Sequence, residues 1–257
     1  MSKRNTIWML GLLVTVLAIG SAPIALSQME QTPLVYTYVS QFQIPRANWA
    51  AYAEDTEKSF VPVAQKLTAD GTLVGWSTFE TVVHTPDGYT HGAAWSSTSI
   101  SGLMKVLDEI RKVGPRSSQV SATKHEDLLM QTAMYHGVAG GGSTGYLRVL
   151  CSNIKTDKPN EYVAMLKKFL VPTFEDQLKK GSATYYGIDE QYVVTGPPSI
   201  RCLVINYPNA EGIDKWAAAI NYTLGKMTPA EREEFASATV ADSRRDLLGR
   251  ITNSGHK

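Results

Sequence analysis

Residues 61–80 read VPVAQKLTADGTLVGWSTFE, and residues 171–190 read VPTFEDQLKKGSATYYGIDE. Each stretch opens on Val-Pro, reaches a glycine (Gly71, Gly181) and ends on a glutamate (Glu80, Glu190) after an aromatic-bearing run. The same offset holds outward without a gap: Tyr36 matches Tyr146, Tyr52 matches Tyr162, and Ile110 matches Ile220. A period this long is far beyond that of a solenoid repeat, so the chain carries two copies of a whole module.

Each copy reads strand, helix, strand, strand, helix, strand. Residues 34–42 and 146–151, rich in Tyr, Val and Leu, are first strands. A helix over 48–67 follows from the spacing of Trp49, Tyr52, Thr56, Phe60, Val63 and Leu67; Tyr162, Met165, Leu166, Phe169 and Leu170 repeat it. Pro62 and Pro172 fall inside these helices and predict a kink or break, and Gly71 and Gly181 predict their ends. Second strands are expected over 72–84 and 183–195, each leading into a Pro/Gly turn, and third strands over 89–97 and 199–207. Leu103, Val106, Leu107 and Ile110, then Ile213, Trp216, Ala217 and Ile220, are stripes of second helices. Asp127-Leu128-Leu129 recurs as Asp246-Leu247-Leu248, the extra spacing taken by a short helix that opens on a capping box at Thr228 and Glu231. The module boundaries are residues 34–136 and 146–252, joined by a glycine-rich tether over 137–145.

The element order βαββαβ is ferredoxin-like. Together with the proline-bent first helix ending in Gly and the aromatic-rich second strand, it resembles the dimeric α/β-barrel superfamily in an internally duplicated form, over about residues 34–252. The resemblance implies an α+β fold in which two tandem ferredoxin-like modules pack as an intramolecular barrel, a pseudo-dimer within one chain. Superfamily members include cofactor-free monooxygenases, isomerases and haem proteins. In such a sheet the first and third strands are antiparallel neighbours, which brings Cys151 and Cys202 to one end of the sheet within disulfide range. Two buried free thiols are the alternative.

The N-terminus reads as an export signal. Lys3 and Arg4 precede an apolar run from Ile7 to Ile19, and Ala25-Leu26-Ser27 offers cleavage after Ser27. Residues 1–27 are therefore expected to be removed on the way to the periplasm or outside, leaving no membrane anchor. The rest is nearly neutral, 23 basic against 24 acidic residues, with no basic block, which argues against a nucleic-acid partner.

Candidate chemistry lies on the second strands. Side chains alternate faces, so Trp76, Thr78, Glu80, Val82 and His84 are expected on one face, and Tyr186, Ile188, Glu190, Tyr192 and Val194 on its counterpart. A glutamate buried among aromatics serves as a general acid or base; paired with an arginine it is structural. His84 and His91 flank the hairpin only in the first module, where the second has Val194 and Arg201. The candidate catalytic set is thus Glu80, His84 and His91, with Trp76, Trp95, Tyr186, Glu190 and Tyr192 as ligand-lining residues. His125 and His136 are candidate haem ligands with no supporting motif, and no metal site is assigned. The first functional reading is an exported binder of an apolar or aromatic small molecule. The alternatives are a cofactor-free monooxygenase or isomerase, and a metal or haem protein.

Overall fold

The computed structural model describes residues 34–113, 121–138, 144–195 and 199–257. The first half supplies strands β1 (Val35–Gln43), β2 (Gly75–Thr81), β3 (His91–Ser97) and β4 (Lys124–Gly137). The second supplies β5 (Gly145–Asn153), β6 (Tyr185–Gln191), β7 (Ile200–Tyr207) and β8 (Arg245–His256). They close into one barrel in the order β1-β3-β2-β8-β5-β7-β6-β4, every pairing antiparallel. Each half contributes four adjacent strands in the same internal order, and the halves meet at β2–β8 and β4–β6. Both seams carry a register shift, at Thr78/Phe79 and at Thr132/Met134, where the extra residue bends the strand around the closure. Closure removes the unpaired edges of an open sheet.

Helices cover the outside. In the first half, α1 (Trp49–Asp55) passes through one π-helical turn (Thr56–Phe60) into α2 (Val61–Ala69), and α3 (Ile100–Val113) follows β3. In the second, α4 (Pro159–Met165) passes through a π turn (Leu166–Leu170) into α5 (Val171–Lys179), followed by α6 (Ala210–Lys226) and α7 (Pro229–Ser237). The single helix expected over 48–67 is therefore three segments. Pro62 and Pro172 sit in the first turns of α2 and α5, and the π turn before each accommodates the missing donor. Gly71 and Gly181 follow the caps Asp70 and Lys180 with φ of +80° and +70°, a left-handed conformation that glycine adopts without strain. Thr228 and Glu231 form the capping box of α7.

Apolar clusters follow from the alternation of side chains, one of them small, with Phe42, Ile44 and Tyr52 against Trp49. Phe60, Ala64, Leu67, Trp76, Trp95, Leu103 and Val106 fill the layer between sheet and helices in the first half. Leu170, Phe174, Tyr186, Ile205, Tyr207 and Trp216 do so in the second. Inside the barrel, Phe79, Leu147 and Ile251 meet Val149, Val204 and Leu247. On β2, then, even-numbered residues face the helices and odd-numbered ones face the interior. Cys151 and Cys202 are register partners across β5 and β7 and form a disulfide, with Cα atoms 4.0 Å apart.

The second strands are shorter than expected. β2 ends at Thr81 and β6 at Gln191, with an N–H just beyond each end still donating, Val82 to the Leu248 carbonyl and Tyr192 to the Leu129 carbonyl, each at 2.8 Å; after β2 the chain turns at Thr85, whose carbonyl accepts from Gly88 N–H at 3.0 Å. His84, Val82 and Tyr192 are therefore off the strands. The leader at 1–27, residues 139–143 of the tether and residues 196–198 of the second turn lie outside the described residues. No helix among the described residues is long and apolar enough to cross a membrane.

Candidate functional site

Register stacks three cross-strand rows on the helix-facing side of the first half. Leu129, Tyr38, Trp95 and Trp76 make one; Asp127, Ser40, Ala93 and Thr78 the next; His125, Phe42, His91 and Glu80 the third. The face thus runs from an apolar aromatic end to a polar end, with the small Ala93 between.

At the polar end Glu80 and His91 are direct cross-strand partners. His91 is buried, its Nδ1 3.0 Å from Thr90 Oγ1, and its ring lies 5.0 Å from that of Trp49 and 4.7 Å from that of Tyr52. Burial, and then the neighbouring His84, push its pKa down to about 4. A neutral imidazole at physiological pH accepts as well as donates a proton. Glu80 is half-buried and has no hydrogen-bond or ion-pair partner among the described residues. Trp49 is held from both sides: its Nε1 donates to the Ile44 carbonyl at 2.9 Å and the Arg46 guanidinium lies 4.0 Å over its ring. His84 is exposed on the turn, its ring 5.6 Å from that of Trp49, and is off the strand face.

Because His91 is neutral in the fold while the unfolded chain protonates near 6.5, its contribution to stability is complete above about 6.5. It is lost as pH falls from there towards about 4. We expect the His91 ring resonances to titrate near 4 in an NMR pH series; titration above 6 would show the ring to be solvated.

At the aromatic end Trp95 stacks on Tyr38 at 4.7 Å, and Phe60 sits 5.8 Å from Trp76 and 5.7 Å from Trp95. The two indole N–H groups and the Thr56 hydroxyl, which opens the π turn one turn before Phe60, are buried with no partner among the described residues. Each such group costs roughly 1–3 kcal/mol unless an acceptor reaches it.

The middle row holds a cluster that the sequence pattern did not disclose. Ser40 Oγ donates to Asp127 Oδ1 at 2.7 Å and lies 3.0 Å from His125 Nε2, which is itself 3.0 Å from Asp127 Oδ1. The three atoms form a triangle rather than a relay, so the serine is not poised as a nucleophile. Burial and Asp127 raise the Tyr38 hydroxyl pKa, keeping the phenol protonated.

The second half spends the equivalent positions on ion pairs. Arg201 stands where the first half has His91, and it holds Glu190 at 2.6 Å. Asp246 binds Arg148 at 2.9 Å and Arg244 at 2.7 Å. Tyr186 donates to Glu175 at 2.6 Å, and His136 Nδ1 lies 2.8 Å from the same carboxylate. Burial raises the pKa of Glu175, but the bonds from Tyr186 and His136 outweigh it and the net direction is down. Tyr192 is half-exposed and meets Tyr36 edge-on at 5.1 Å. Tyr186, Glu190 and Tyr192 therefore do not converge on one pocket, while Glu80, His91, Trp76 and Trp95 share one face.

No group of three or more His, Cys, Asp or Glu among the described residues is arranged to hold a metal ion. Haem does not fit the residues present either. His125 Nε2 is engaged by Ser40 and Asp127, and the layer behind His136 is filled by Phe174, stacked on Trp216 at 4.9 Å and tilted on Tyr186 at 5.1 Å.

No protein-family model matches the chain, and no curated protein matches its sequence. Solved structures share its fold. A candidate monooxygenase from Fusobacterium nucleatum superimposes with a TM-score of 0.65 at 9% identity, covering 87% of this chain and 95% of that one. One from Lactobacillus acidophilus gives 0.59 at 10%, covering 88% and 97%. An anthrone oxidase-like protein gives 0.51 at 7%, covering 88% and 94%. The fold shared with them is a dimeric α/β barrel.

Proposed function

We propose that the two halves are tandem ferredoxin-like modules and that the first is the working one, taking an apolar aromatic small molecule between sheet and helices. The observation that carries this is the pairing of an unpartnered Glu80 with a buried, neutral His91, where the second half closes the same two positions with an Arg201–Glu190 ion pair. Trp49 and Tyr52 pack against the His91 ring, and the unmet donors of Trp76, Trp95 and Thr56 are the groups a ligand's acceptor would satisfy. The reaction this favours is cofactor-free oxygenation: Glu80 or His91 removes a proton from an acidic C–H or O–H of the substrate, and the resulting electron-rich anion reacts with O₂. Candidate monooxygenases and an anthrone oxidase-like protein among the structures of like fold support that class. The chain is read as exported, with its leader removed after Ser27.

Oxygen uptake with a panel of anthrones and related reduced polycyclic phenols tests the reading, with binding followed by tryptophan fluorescence. We expect Glu80→Gln to lower kcat about 100-fold with ligand affinity little changed, and Glu190→Gln to leave turnover intact. Binding without oxygen uptake, unaffected by Glu80→Gln, supports instead a carrier of the same class of molecule. Exchanging His84 and His91 for the Val and Arg of the second half without loss of turnover would exclude the asymmetric assignment.

A further inference from the structure

A second row, on the inner face of the barrel, crosses five strands in register: Arg245 on β8, Cys151 on β5, Cys202 on β7, Asp189 on β6 and Thr132 on β4. Its inward direction follows from Leu147, Val149 and Leu247, which belong to the interior cluster and alternate with Cys151 and Arg245. A disulfide therefore has a cation beside one sulfur and a carboxyl beside the other. Cys202 and Asp189 are buried, whereas Cys151 and Arg245 line a cavity of about 60 Å³ together with Asn153, Ile200 and Ser243. Asp189 accepts from Thr132, but its Oδ1 has no partner among the described residues. The titratable groups facing it are Tyr185, four residues back on its own strand, and behind that Tyr135 on β4; Arg245 is at the far end of the row. No cation pairs with it among the described residues, so nothing in the packing explains a carboxyl at this position.

We propose that Cys151–Cys202 is a redox-active disulfide that exchanges with a small or protein dithiol, and that Asp189 is its proton-transfer group. This is independent of the function proposed for the outer face. In the reductive direction one thiolate of the dithiol enters by the cavity and attacks Cys151 Sγ. The Cys151–Cys202 bond breaks, and its electron pair leaves on Cys202 Sγ, which takes a proton from solvent by way of the Asp189 carboxylate, its cross-strand neighbour. The second thiol of the reductant, deprotonated by solvent, attacks its own sulfur of the mixed disulfide. Cys151 departs as a thiolate beside Arg245, whose charge favours that form. The reductant ends as a disulfide and two electrons have passed to the protein; of the two protons the reductant gave to solvent, one has reached Cys202 through Asp189 and the other reaches Cys151, leaving a dithiol. Thiol–disulfide exchange depends on access to the attacked sulfur and on the stability of the leaving thiolate, the two quantities this row sets.

The test uses the oxidised whole protein with dithiothreitol at neutral pH and no denaturant, counting released thiols. We expect full reduction in the native state, at a rate indifferent to urea below the unfolding transition. In Asp189→Asn the rate per thiolate should fall about tenfold. With Cys202→Ser in the background, Arg245→Gln should slow capture of Cys151 by an aromatic disulfide about threefold, while Cys202 in the Cys151→Ser variant reacts more slowly still. Reduction only where urea unfolds the chain would identify the bond as a plain structural staple and overturn the proposal. So would an unchanged rate in folded Asp189→Asn, or a Cys202 more reactive than Cys151.

Discussion

Phe79→Ala is expected to cost about 4 kcal/mol of folding stability, more than a typical core truncation for the size of its neighbours. The ring is the first half's member of an interior cluster otherwise supplied by β5, β7 and β8, and it lies beside the β2–β8 seam. It also covers two glycine backbones. A Cβ built on Gly92 would stand 2.4 Å from the ring, and one on Gly249 3.2 Å. Removing the ring thus opens a void against bare backbone on both neighbouring strands, and little nearby can collapse into it. Gly92→Ala in the intact protein overpacks the same contact and should itself cost about 1–3 kcal/mol. In the double variant the new methyl occupies space vacated by the ring, so the double variant should cost less than the sum of the two single costs. Urea unfolding of the four proteins measures this. Strict additivity would mean that ring and glycine do not share the space the geometry gives them.

How far the chain disclosed itself depended on what each signal required. The long repeat and the 2.0 and 3.6 periodicities are local in sequence, so the element order and the glycine helix ends could be read directly. The closed barrel rested on resemblance. Glu80 and His91 were each visible as residues, but their partnership depends on hairpin register, and ending β2 at Thr81 removed His84 from the face. The Ser40, His125 and Asp127 cluster joins β1 to a strand more than eighty residues later, a pairing no local pattern encodes. Asp189 was hidden for a different reason. Polar residues alternating with Tyr186, Ile188 and Glu190 look like the wet side of a strand, and in an open sheet they would be. Closure of the barrel turns that side inward and buries Tyr185, Asp189 and the Gln191 oxygen.

That burial sets the last large effect. Asp189→Asn should stabilise the protein by about 3 kcal/mol at neutral pH. Desolvation raises the Asp189 pKa from 3.8 to about 6. Below about 4 the carboxyl is protonated in both folded and unfolded chains and there is no penalty. Between about 4 and 6 the unfolded chain releases the proton while the folded one keeps it, so stability falls as pH rises, and above 6 the deficit is constant. Asparagine removes the charge and keeps an oxygen to accept from Thr132; its new N–H groups face a side of the strand where Gln191 Oε1 is buried without a donor. The gain should therefore be near zero at pH 4 and complete at pH 8; it is the Asp189 contribution being removed, falling as pH rises, that runs opposite in sign to that of His91. Urea unfolding of both proteins at those two values separates this from a generic packing change, which would give equal gains at each. A carboxyl that lowers stability in this way, beside a disulfide and with no cation to neutralise it among the described residues, is the pattern expected when stability yields to chemistry. If Asp189→Asn is at once more stable and slower in native-state thiol exchange, both follow from the one buried carboxyl.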